Sequence, residues 1–254
     1  MKFIQLCGAG RAGKSTVASI LYDIAMENNY IPVILPFAKA LKREAQEMGF
    51  SKDKNPEAYR KYCQEWGAKR RAEDPNYWVN KIREDVYNLA QIEGVLKEKD
   101  EDRFEHLIIQ DDVRYMNEIA FGRDVGAYQI FITTGRRTIP EMFEEWRLHE
   151  SEDIAIRVEA GRPDYTDLFH EYLVNRSPIP ELVEYVRSNF YKWITEESPS
   201  MDPVTQKYRD GKVPNEGFLK LLMLKDELDK IEDLLSFIED EIEDKNAQHN
   251  DDNS

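Results

Sequence analysis

One stretch limits what this chain can become: Gly8-Ala9-Gly10-Arg11-Ala12-Gly13-Lys14-Ser15. It fits Gly-x-x-x-x-Gly-Lys-[Ser/Thr], and each residue type has a physical task there. Gly8 and Gly13 permit backbone angles that a β-carbon blocks. Successive N–H groups can then turn toward phosphate oxygens. Lys14 adds a mobile positive charge for the outer phosphates, and the Ser15 hydroxyl is a ligand for Mg²⁺. The flanks agree. Phe3-Ile4-Gln5-Leu6-Cys7 is an apolar run suited to a buried strand, and Val17, Ile20, Leu21, Ile24 and Ala25 follow the spacing of an amphipathic helix. A helix N-terminus placed directly after the loop adds its half-charge to the anion site. The expected ligand is a nucleoside triphosphate with Mg²⁺, cradled by residues 8–15 and Thr16.

Further along, Pro32 to Phe37 reads as a second strand and Ala38 to Met48 as a helix closed by Gly49. Pro56 opens a helix to about Arg71. Asp74-Pro75 then reads as an N-cap and first helical residue of another, through Trp78, Ile82, Val86 and Leu89 toward Leu96. Leu107 to Ile109 is a third strand ending at Asp111-Asp112, Tyr128 to Thr133 a fourth and Tyr172 to Val174 a fifth. Pro180 opens a closing helix. Strands alternating with helices imply an α/β fold of three layers around a five-stranded parallel sheet. Ligands of such sheets lie beyond the carboxyl ends of the strands. That rule selects the glycine-rich loop, Phe37-Ala38-Lys39, Asp111 to Arg114, Arg136-Arg137 and Asn175-Arg176. The stretch 38–100 is too long for a simple crossover and is expected to form a helical substrate-binding insert. A lid is expected over 135–157.

Composition narrows the partners. Of 254 residues, 41% are hydrophobic, enough for one α/β core and an appendage. The net charge is −15, and residues 196–254 carry 17 acidic against 7 basic side chains. Such a surface repels nucleic-acid phosphates but tolerates small anions held by a few arginines. Cys7 and Cys63 form no disulfide framework. The apolar run after Lys2 is five residues long, so neither a signal peptide nor a membrane span is expected, and the protein reads as cytoplasmic. Residues 198–217 hold Pro199, Pro203, Gly211, Pro214 and Gly217 and read as a linker. Beyond it Leu221, Leu224, Leu228, Ile231, Leu235, Ile238 and Ile242 recur in alternating steps of three and four. That heptad seam predicts a coiled-coil helix over 218–245 and a homodimer through it, with 246–254 a disordered tail.

Chemistry concentrates after the strands. Asp111 and Asp112 stand where a carboxylate would orient Mg²⁺, and adjacent strand residues point to opposite faces, so one of them reaches the metal. The pattern does not distinguish which; Ser15 with Asp111 is the pair assigned here. Arg114 can fork onto a substrate phosphate. Arg136 and Arg137 follow Gly135 at a strand end and are candidates for the charge that phosphoryl transfer demands. Arg147 and Arg157, interleaved with Glu144, Glu145, Glu150 and Glu152, lie in the same segment and are further candidates, with an ion-paired helix surface as the alternative, the one favoured for Arg147. In the insert, Gln64, Arg71, Asp74, Tyr77 and Trp78 suit a nucleobase; the alternative is that Tyr77 and Trp78 belong to the insert's own core.

These residues resemble the bacteriophage-type deoxynucleoside monophosphate kinases, among the P-loop nucleotide kinases. The resemblance covers roughly 1–195. It rests on the glycine-rich loop, Phe37-Ala38-Lys39-Ala40-Leu41-Lys42, Gln64-Glu65-Trp66-Gly67, Asp74-Pro75-Asn76-Tyr77-Trp78-Val79, Asp111-Asp112-Val113-Arg114 through Glu118, and His149-Glu150-Ser151-Glu152. Ala40 stands where relatives often carry proline. The resemblance implies a kinase domain over 1–197 in which Lys42 and Arg114 grip a monophosphate. Phe37, Lys39, Gln64, Arg71, Asp74, Tyr77, Trp78 and Asp112 would surround the acceptor, Arg136-Arg137 would serve the lid, and Asn175 would lie near the ATP adenine. The expected reaction moves the γ-phosphoryl group of ATP onto a (deoxy)nucleoside 5′-monophosphate. Two alternatives stand beside it: a kinase of another small acceptor such as dephospho-coenzyme A, and a non-enzymatic nucleotide-binding assembly protein.

Overall fold

A computed structural model describes residues 1–98, 105–135 and 149–195. Five strands, β1 (Lys2–Cys7), β2 (Tyr30–Ile34), β3 (Glu105–Val113), β4 (Tyr128–Thr133) and β5 (Glu171–Val174), form one parallel sheet in the order β2-β3-β1-β4-β5. β1 is therefore central, which puts the loop that follows it in the middle of the sheet's carboxyl edge. Strands buried on both faces read as continuous apolar runs. On one face Ile4, Leu6, Leu107, Ile109, Ile130 and Ile132 pack under α1 (Lys14–Glu27) and the final helix α8 (Ile179–Thr195). On the other, Phe3, Cys7, Ile108 and Phe131 pack under α4 (Tyr77–Glu98), α5 (Met116–Asp124), α6 (Asp153–Glu159) and α7 (Pro163–Thr166). Three layers result. Cys7, the last residue of β1, is 2% exposed, and burial pushes its thiol up to about 12.

Between β2 and β3 lies a helical insert: α2 (Lys39–Glu47), α3 (Pro56–Glu73) and α4. α3 begins as its sequence suggests, with the Asn55 side chain accepting from the Ala58 N–H at 3.0 Å and Pro56 in the first turn. Three boundaries differ from expectation. β2 ends at Ile34 instead of Phe37, because the N–H groups of Phe37 and Ala38 turn toward the Asp112 carboxylate. Asp74 closes α3, its N–H on the Arg70 carbonyl, and its side chain caps a turn by accepting from Asn76; α4 starts only at Tyr77. α5 was not expected at all.

One row of polar residues crosses the core. Gln110, Gln5 and Gln129 lie side by side on β3, β1 and β4, each at most 1% exposed. Gln5 donates to Gln110 Oε1 at 2.9 Å and to the Glu118 carbonyl at 2.8 Å, and Gln129 donates to Gln5 Oε1 and the Ile119 carbonyl, both at 2.8 Å. The row hydrogen-bonds the sheet to the helix that covers it, with Gln110 Nε2 and Gln129 Oε1 left without a partner among the described residues. Among the described residues no helix is long and apolar enough to cross a membrane. The expected linker, coiled coil and tail lie outside them.

Candidate functional site

The glycine-rich loop has the geometry that its glycines suggest. Gly8 has φ +141° and a β-carbon there would lie 2.1 Å from the Ile132 carbonyl oxygen. Gly13 has φ +95°, and a β-carbon would lie 2.1 Å from the Asn175 amide nitrogen. Neither position admits a side chain. Arg11 holds φ +63° without being glycine, a strained angle of the kind found at functional loops. Asn175, expected near an adenine, spends its side-chain amide on the Ala12 carbonyl at 3.0 Å and so braces the loop.

The loop opens onto a pocket of about 400 Å³ lined by Arg11, Gly13, Lys14, Ser15, Thr16, Lys42, Asp111, Asp112 and Arg114. These come from the carboxyl ends of β1 and β3 and from α2, where an open parallel sheet binds its ligands. Lys14 is 7% exposed and donates to the carbonyls of Gly8 at 2.7 Å and Ala9 at 2.8 Å. Burial, with Arg114 nearby, lowers its pKa to about 8. Arg114 sits among opposing influences. Burial disfavours its charge, but the carboxylates of Glu152 and Asp112 more than compensate and its pKa is raised.

The two neighbouring aspartates part company. Asp111 accepts from the Ser15 hydroxyl at 2.8 Å at the pocket wall. Asp112 accepts from the N–H of Phe37 at 2.7 Å and of Ala38 at 3.0 Å, tying the end of β3 to the start of α2. Burial raises the Asp112 pKa, with Lys42 pulling the other way. Ser15 and Asp111 are hard oxygen donors within hydrogen-bond reach of each other, so their chemistry fits Mg²⁺. No group of three or more His, Cys, Asp or Glu side chains among the described residues could hold a metal. A cation would draw the rest of its shell from a ligand and water.

Several expected substrate residues lie elsewhere than the pocket wall. Phe37 is buried edge-on against Phe121, ring centroids 6.0 Å apart. Trp78 is 2% exposed and donates to the Gly67 carbonyl at 3.2 Å, inside the small core of the insert. Tyr77 packs on Trp78, and Lys39 pairs with Asp85 of α4 at 2.9 Å. Gln64 is half-buried on α3. Arg71 lies 3.8 Å over the Tyr115 ring, whose hydroxyl donates to Glu150 at 3.0 Å. Arg136, Arg137 and Arg147 fall outside the described residues. Arg157 pairs with Asp153 at 2.9 Å on α6, within an ordinary helical turn.

Two carboxylates behind the pocket were legible only as parts of longer motifs. Glu118 accepts from the N–H groups of Arg114 at 2.7 Å and Tyr115 at 3.1 Å, fixing the turn from β3 into α5. Burial pushes its pKa up to about 7, against the pull of Arg71. Glu152 accepts from the Gly10 N–H at 2.7 Å and pairs with Arg114. A capping glutamate three residues into a helix is a recognisable signal; a glutamate in a charged run between arginines is not. The chain matches no protein-family model and no curated protein sequence.

Proposed function

We propose that the chain transfers the γ-phosphoryl group of ATP to the 5′-phosphate of a (deoxy)nucleoside monophosphate, giving a diphosphate. One observation carries this reading: a single pocket is lined by Lys14 and the glycine-rich loop and also by Lys42 and Arg114. A triphosphate alone needs only the first set. A second set of cations in the same pocket suits a second phosphate. The acceptor oxygen is already nucleophilic at neutral pH, so the chain's tasks are positioning and charge stabilisation, with no strong base required. Lys14 and the loop N–H groups other than that of Gly10, which Glu152 holds, would bind the donor, the Lys14 ammonium leaving the Gly8 and Ala9 carbonyls for phosphate oxygens. Arg114 and Lys42 would grip the acceptor. Ser15 and Asp111 would hold Mg²⁺, whose chemistry there would be neutralisation of phosphate charge. Arg136 and Arg137 are proposed to add charge from the lid.

The test is a panel of the common ribo- and deoxyribonucleoside monophosphates, with dephospho-coenzyme A, each incubated with Mg·ATP and scored for product. At least one monophosphate should yield its diphosphate. Lys14→Ala should remain folded and lose turnover by about 10³-fold, the upper range for removing one charge-stabilising group. Product from dephospho-coenzyme A alone would reassign the acceptor. Nucleotide binding without any product would make the chain a nucleotide-dependent assembly protein instead.

A further inference from the structure

Glu152 brings together groups from three separate parts of the chain. Its side chain is 4% exposed, and both carboxylate oxygens are engaged. Oε2 accepts from the Gly10 N–H of the glycine-rich loop at 2.7 Å, and Oε1 pairs with Arg114 Nη1. A carboxylate this deeply buried persists only where donors satisfy it. The short 3₁₀ turn that carries it, Glu150–Glu152, is itself anchored, with Glu150 accepting from the Tyr115 hydroxyl at 3.0 Å and His149 Nδ1 accepting from the Ser151 N–H at 3.2 Å. Arg114 is thus held at both ends, its main-chain N–H by Glu118 and its guanidinium by Glu152. A guanidinium has five N–H donors. A carboxylate at Nη1 can therefore orient the fork while other donors meet phosphate.

We propose that Glu152 is a positioning residue for phosphoryl transfer: it holds the Arg114 guanidinium against the glycine-rich loop, inside the pocket that Lys14 and Lys42 share. This rests on the kinase reading above. Arginine has a long, flexible stem, and displacement of a reacting or clamping group by about 1 Å can cost about 10²-fold in rate. The bond to the Gly10 N–H supplies the reference point. The guanidinium is placed relative to the loop that would hold the donor, so the distance between donor and acceptor phosphates is set by one side chain.

Glu152→Gln tests this in the full chain. An amide offers one acceptor oxygen for two donors and turns its NH₂ toward a guanidinium, so Arg114 loses its hold. Turnover should fall by about 10²-fold. Tripolyphosphate, titrated calorimetrically, should bind no more weakly than to wild type, because the substitution removes negative charge from an anion site. Adding Glu152→Gln to Arg114→Met should change turnover by less than about threefold, since residues acting as one unit are not additive. Glu152→Asp keeps the charge but is too short to span both partners, and its turnover should lie between the two. It stands in if the glutamine variant fails to fold. Wild-type turnover in Glu152→Gln, full additivity with Arg114→Met, or a joint collapse of turnover and tripolyphosphate affinity would each overturn the proposal. A wild-type chain that binds tripolyphosphate but transfers nothing would overturn the kinase reading and this proposal together. Variants failing these expectations while wild type transfers would overturn the positioning role alone.

Discussion

Lys14 is buried against two carbonyl oxygens of its own loop, and burial with Arg114 holds its pKa near 8. The lysine is therefore mostly charged below about pH 8 and loses its charge above it. Phosphate oxygens favour the charged form, so nucleotide binding must raise this pKa and take up a proton. Affinity for Mg·ADP should be flat toward acid and fall about tenfold per pH unit above about 8, until the pKa of the complex is reached. Calorimetry from about pH 7 to 9.5 reads this directly. Lys14→Arg, charged throughout, should remove the slope whatever it does to affinity. A flat wild-type profile would mean that the resting lysine is not depressed. At the same scale, Asp111 and Asp112 show what a sequence withholds. Adjacent residues on one strand were bound to face opposite ways, and only the partners, Ser15 for one and two main-chain N–H groups for the other, say which is which.

At the scale of elements, the sheet was legible because its strands are apolar and its turns carry glycine or proline. The exceptions share a cause: polar groups whose partners are distant in sequence. β3 begins at Glu105, two residues earlier than its apolar run, and His106 within it is buried against Glu93 of α4 at 3.0 Å. α5 is short, nine residues, and Tyr115 at its cap is none of Ser, Thr, Asp or Asn, so Glu118 reaching back to the Tyr115 N–H is the one mark of its start. The glutamine row puts one polar residue into each of three apolar strands. Its tightness gives a prediction. A β-carbon on Gly122 of α5 would lie 2.0 Å from Gln5 Oε1. Gln5 can move aside only by giving up bonds to Gln110, Gln129 or the Glu118 carbonyl. Gly122→Ala should therefore destabilise the chain by about 1–3 kcal/mol, despite the better helix propensity of alanine. Urea unfolding of the two proteins measures it; a stabilised variant would mean that the row relaxes freely.

At the scale of the whole molecule, the charge and the heptad seam both fall late in the sequence, beyond residue 195. Residues 196–254 carry net −10 of the total −15. A lone helix with a narrow apolar stripe is marginal in water, so the stripe over 218–245 should pair with a second copy of itself. Acidic flanks oppose that pairing, and salt that screens them should strengthen it. Light scattering should find a dimer for the full chain and an active monomer after truncation at Ser198. A monomeric full chain at tens of micromolar would remove the dimer, and an inactive truncated chain would place the helix against the sheet domain. Cys7 is sealed at the end of the central strand, directly before the loop, with its thiol pushed up to about 12. Alkylating reagents need thiolate and access, and Cys7 offers neither until the strand opens. The half-buried Cys63 of α3 should react first. The slower of the two labelling rates is then a clock for the centre of the sheet. Mg·ADP should slow that clock while leaving the Cys63 rate unchanged, a reading of ligand grip on the loop that requires neither turnover nor a known acceptor.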